Sequence, residues 1–135
     1  MFAKPRLVEQ IFTAVANGDL DSVESLLDRH PQLIDSRQEG KSLFHQLVRQ
    51  GRFSHRIKNI FDLLIVRGLS VNNRDHVSGQ TALHLAIENN SEQLIKLLLK
   101  NGADPEINDH QGQTAISLAD ENESSIVELL KTFCF

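Results

Sequence analysis

Apolar residues along this chain do not alternate; they recur every three or four positions in short bursts. Leu83, Ala86 and Ile87 form one burst, and Leu94, Leu97 and Leu98 form another. Such i, i+3, i+4 spacing puts the apolar side chains on one face of a helix and leaves the other face polar. Thr81 and Thr114 stand where a hydroxyl can accept from the orphan N–H groups of a first helical turn. Asn90, followed by Gln93, is the expected cap of the next helix. Gly68 and Gly102 fall just past their helices, where glycine takes a positive φ cheaply. Asp75 and Asp109 then lie in turn-rich links. The pattern predicts pairs of short helices.

The pattern also repeats. Residues 80–86 read QTALHLA and residues 113–119 read QTAISLA, each preceded by a glycine, Gly79 and Gly112. An earlier copy follows Gly40 as KSLFHQL. Between these segments a second apolar block runs into glycine, as IFDLLIVRG at 60–68 and LIKLLLKNG at 94–102. A weaker copy occupies the first 39 residues, with Ala14–Leu20 leading to Val23–Leu27. That makes four units, at about 5–38, 39–77, 78–110 and 111–135, in one domain spanning 1–135. One helix pair is too small to bury its own apolar face, and stacking the pairs builds the shared core.

At these residues the sequence resembles the ankyrin repeat family. Unit three reads G-Q-T-A-L-H-L-A from Gly79 and L-I-K-L-L-L-K-N-G-A-D-P from Leu94. The family pattern is G-x-T-P-L-H-x-A followed by V-V-x-L-L-L-x-x-G-A-D, so Ala82 stands where proline is usual. The match is strongest in unit three, good in unit four and degenerate in units one and two, and it covers residues 5–133. The resemblance implies an all-α ankyrin-repeat solenoid of stacked helix-turn-helix units with hairpin-like turns. Departures cluster at defined places. Unit one lacks the Thr-x-Leu-His opening and starts beside Pro5, while unit four is one residue short before Val127; such degenerate ends suit terminal caps. Unit two carries extra residues around Arg49–Lys58 and one near Val77, and the link at 33–39 is one residue short and lacks the turn aspartate. The stack is expected to be irregular there.

Composition narrows the function classes. Apolar residues make up 40% and the net charge is −4, an acidic balance ill suited to coating nucleic-acid phosphates. Apolar runs are too short for membrane insertion, and no apolar segment follows Met1–Arg6 to act as a secretory signal. One cysteine, Cys134, precludes an internal disulfide or a multi-thiolate metal site, so a reducing, cytoplasmic setting is expected. None of the six histidines forms a metal-ligand pair on one helix, and no glycine-rich phosphate loop is present. His45 and His84 hold the repeat's own histidine position, where the resemblance implies a structural ring. His76 and His110 occupy equivalent turns about 10 Å apart, too far to share a zinc ion. No catalysis, cofactor or metal is expected.

The resemblance implies instead a protein partner lying across the concave face, on turn tips and first helices. The matching positions are His76, Ser78, Gln80, Glu88 and Asn89 in unit three, and His110, Gln111, Gln113, Glu121 and Asn122 in unit four. Lys41, Arg49 and Gln50 would extend this surface through unit two. A second candidate is an acid-free inserted docking loop holding Arg49, Arg52, Arg56 and Lys58, which suits a phosphorylated or acidic partner, with Phe53 packing beneath it. The expected function is a monomeric, non-catalytic protein–protein interaction module. Its alternative is a bacterial secreted effector that binds a host protein through the same surface, suggested by the acids at 120–123 near an apolar C-terminus. The degenerate caps favour an independent module over a segment of a larger scaffold.

Overall fold

Helix starts in this chain are set by short polar side chains placed before apolar bursts. Asp19 accepts from the Ser22 N–H, Ser54 from the Ile57 N–H, Thr81 from the His84 N–H and Thr114 from the Ser117 N–H. The computed structural model describes residues 5–49, 52–122 and 124–134. It contains α1 (Pro5–Ala16), α2 (Leu20–Arg29), a 3-10 turn (Pro31–Asp35), α3 (Leu43–Val48) and α4 (His55–Val66). There follow α5 (Ala82–Glu88), α6 (Glu92–Lys100), α7 (Ala115–Asn122) and α8 (Ser124–Cys134). The cap of α6 is Ser91 rather than Asn90. Asn90 turns the chain at φ 54°, a left-handed conformation that asparagine tolerates better than most residues.

The helices pair as α1/α2, α3/α4, α5/α6 and α7/α8, and the pairs stack. First helices form one continuous row, α1 on α3, α3 on α5 and α5 on α7. Second helices form the other row, close between α2 and α4 and between α6 and α8, and less close between α4 and α6. The core runs between the rows from Ile11 to Leu130 without a break. Phe44 of α3 and Phe61 of α4, both buried, meet with ring centroids 5.0 Å apart inside unit two. This is an all-α solenoid of stacked helix-turn-helix units.

The stack stays close between units one and two, and the adjustments to the irregular spacing are local. The short link before α3 closes as a two-residue hairpin in which Gln38 and Lys41 exchange both backbone hydrogen bonds at 3.0 Å. Its central residues, Glu39 and Gly40, have φ 53° and 82°, so the missing residue is absorbed by a tight turn that needs no aspartate. The extra residues of unit two divide between loop and helix. The unit's first helix, α3, ends at Val48 and α4 starts at His55, running for 12 residues against 9 in α6. Arg56 and Lys58 therefore stand on the first turn of a helix, a correction to their expected place in a loop.

Candidate functional site

The turns joining successive units form a row tied together by groups reaching forward along the chain. His45 stands fully buried on α3, and its Nδ1 accepts from the Ser42 N–H at 3.2 Å. That leaves the proton on Nε2, which donates to the Gln80 carbonyl of the next turn at 2.7 Å. His84 repeats the arrangement one unit later. Its Nδ1 accepts from the Thr81 N–H at 3.0 Å and its Nε2 donates to the Gln113 carbonyl at 3.0 Å. Ser117 holds the same position in unit four and bonds back to the Thr114 carbonyl at 2.9 Å instead. Burial pushes the His45 imidazole below its usual value, against the smaller opposing pull of the Gln80 carbonyl and Asp75.

Two arginines, Arg37 and Arg74, complete the bracing. The Arg37 guanidinium donates to the carbonyls of Gly40 and Arg74, both at 2.8 Å. Arg74 in turn donates to Gly79 at 3.1 Å and to Asn108 at 2.9 Å. Backbone bonds run alongside, from His76 N–H to Gly40 and from His110 N–H to Ser78. Under the turns lie two buried carboxylates. Burial raises the pKa of Asp75, but the Val77 N–H and the Lys41 ammonium outweigh it and hold the carboxyl down to about 2. Asp109 accepts from the N–H groups of Gln111 and Gln113 and shapes the next turn. Asparagine adds a further rung below, Asn72 donating to the Gly102 carbonyl and accepting from the Asp104 N–H.

The positions expected to meet a partner are brought onto this row, with unequal freedom. His76, Glu88, His110 and Gln111 are exposed, and Ser78, Gln80 and Gln113 are half-buried. Gln80 donates to Glu88 at 2.7 Å, so these two act as one unit. The His110 ring donates through Nδ1 to the Val77 carbonyl at 2.9 Å, which joins adjacent turns and leaves that nitrogen committed. Asn89 is exposed, and its amide donates to the carbonyls of Val48 and Arg49, closing the end of α3 in the preceding unit. Lys41 is half-buried, with its ammonium paired to the buried Asp75 at 3.1 Å. Gln50 and the side chains of Glu121 and Asn122 lie outside the described residues, as do the side chains of the remaining acids at 120–123 and of Cys134.

The basic candidate separates as well. Lys58 pairs with Asp62 one turn along α4 at 2.9 Å. Arg49 is exposed at the end of α3. Arg52 and Arg56, both exposed, line a pocket between the α1–α2 corner and α3, with Phe53 packed against the core beside them. Sequence reasoning singled out the charges but not the pocket, which depends on where the extra residues fold back.

Among the described residues no group of histidine, cysteine or carboxylate side chains could hold a metal ion, and no helix is long and apolar enough to cross a membrane. A family model described as ankyrin repeats (3 copies) matches residues 11–109 and 52–133. The chain is 38% identical over 111 residues to the p105 subunit of nuclear factor NF-kappa-B from Gallus gallus, covering 78% of the chain and 11% of that protein. It is 46% identical over 61 residues to alpha-latrotoxin-Lh1a from Latrodectus hasselti, covering 44% of the chain and 4% of the toxin. It is 38% identical over 60 residues to the human ankyrin repeat domain-containing protein 40, covering 44% of the chain and 16% of that protein. The chain thus spans less than a fifth of the length of each of these relatives.

Proposed function

Because the chain belongs to the ankyrin-repeat family, whose repeats are generally non-catalytic protein-interaction modules, we propose that it holds a protein partner against its concave face. The contact surface is the row of turn tips and the exposed side of α5 and α7, and residues 1–135 act as one domain of four units. The carrying observation is the bracing itself. His45, His84, Arg37 and Arg74 fix each turn to the next, so exposed side chains project from a surface already ordered before binding. Pre-ordering lowers the entropic cost of association. Within this surface His76, Glu88 and Gln111 are the recognition residues, since they are exposed and their side chains make no tie between units. The module works as a monomer in the cytoplasm.

Quantitative affinity capture from source cells tests the assignment, comparing the wild type with a His76→Ala, Glu88→Ala, Gln111→Ala variant. Recovery of the specific partner should fall at least about tenfold, the loss of roughly 1.4 kcal/mol of binding free energy. Recovery within twofold of the wild type would remove the turn row as the binding surface.

A further inference from the structure

The pocket beside Arg52 and Arg56 has a volume of about 300 Å3. Its walls are Ala16 at the end of α1, Leu47 of α3, and Phe53 and Ile57 from the connection and the start of α4. Phe53 and Ile57 are half-buried and pack against the core, so the apolar floor is firm. The polar side chain of Gln46 on the same wall is occupied with the Phe12 carbonyl at 3.4 Å. At the rim stand two exposed guanidinium groups. Among the described residues neither has a carboxylate within ion-pair distance. The Asp19 carboxylate is held below its usual pKa by the Ser22 hydroxyl and N–H and, to a lesser extent, by the Arg56 charge, without forming an ion pair with that arginine.

Size and chemistry together select an occupant. A volume of about 300 Å3 is at the bottom of the range for small-molecule sites and suits one or two side chains. An apolar floor calls for an aliphatic or aromatic group. Two unpaired guanidiniums at the edge call for a carboxylate, which each can bind in a forked pair of hydrogen bonds. A lone inorganic anion would leave the floor unmatched, and a net charge of −4 opposes nucleic acid. We propose that this pocket docks an acidic peptide segment of a protein partner, one apolar side chain entering between Ala16, Leu47, Phe53 and Ile57 and a neighbouring carboxylate lying across Arg52 and Arg56. The pocket meets α3 near its C-terminal end, at Gln46 and Leu47, whereas the turn row meets it at its start, and the proposal does not depend on the turn row being an interface.

A phage-displayed library of random dodecapeptides, selected against the full chain, is the test. The selected sequences should place a leucine, isoleucine, methionine or phenylalanine beside aspartate or glutamate. A fluorescein-labelled synthetic copy of the strongest clone should bind the wild type saturably. Arg52→Gln together with Arg56→Gln should weaken that binding at least about tenfold, as loss of charge-assisted bonds requires. Ala16→Leu, which fills the pocket without touching a charge, should weaken it comparably. Lys58→Gln and Glu88→Ala should leave it within twofold. No enrichment, or enrichment of peptides without acids, overturns the proposal. So does binding that survives both pocket variants. If Arg52→Gln with Arg56→Gln instead dissolves a dimer seen by sedimentation, the occupant is a second copy of the chain. Preferential retention of an oligouridylate probe would make the arginines a nucleic-acid contact.

Discussion

Each of the two buried histidines closes a helix start with one ring nitrogen and reaches the following unit with the other. Replacing His84 by alanine strands the Thr81 N–H and the Gln113 carbonyl at once. The cost should be about 2–4 kcal/mol, read as a fall in the urea midpoint. His45 adds a pH dependence with a definite sign. Its folded value lies below the ordinary 6.5, so between the two values the unfolded chain takes up a proton that the folded one refuses. Stability is then fully present above that window and falls as pH is lowered through it. Urea midpoints at pH 7.5, 6 and 5 should drop, and His45→Gln, weaker throughout, should drop less. Asp75 acts lower on the scale: its stabilisation is present above 3.8 and disappears as pH falls toward about 2. Gly79 is a third sensitive point. Its φ is 75°, and a Cβ there would stand 2.9 Å from the His110 backbone nitrogen and 2.5 Å from its ring, so Gly79→Ala should lose about 2 kcal/mol or more. These histidines were legible because they recur at the same place in a repeated motif. Arg37 and Arg74 were not, since their partners are backbone carbonyls, which leave no trace in residue type.

Elements record the same division between what pattern reveals and what it hides. Helix pairs and their glycine ends follow from apolar spacing, and all of them formed. The structural tie of Asn89 was not legible, because nothing local says that α3 ends beside it. The extra residues of unit two read as one loop, whereas Ser54 supplies a cap and sends the second half into α4. Ser54→Ala should therefore cost about 1 kcal/mol and fray the turn carrying Arg56 and Lys58, visible as faster amide exchange at residues 57–58. The tight turn before α3 holds Glu39 at φ 53°, a conformation that asparagine adopts more easily. Glu39→Asn should raise the thermal midpoint, a gain of about 0.5 kcal/mol.

For the molecule as a whole, stability is distributed among unit-to-unit junctions. Side-chain ties across junctions gather around unit two, through Arg37, His45 and Arg74, and inside that unit Phe44 meets Phe61. Phe61→Ala should cost about 3–5 kcal/mol and lower the stability of every unit together, whereas Leu130→Ala, costing about 2–4, should first release the last pair. Amide exchange resolved by residue distinguishes the two outcomes.

The side-chain ties made by His45, His84, Arg37 and Arg74 point one way: each donates to a carbonyl that lies later in the chain. During synthesis on the ribosome, a finished unit therefore emerges with donors that have no acceptor until about another 35 residues have cleared the exit tunnel. Assembly from the N-terminus is a relay in which each arriving turn completes the unit before it. A nascent chain stalled after Val66 has made His45 but not the carbonyl it needs, and chaperones would meet unit two in that unfinished state.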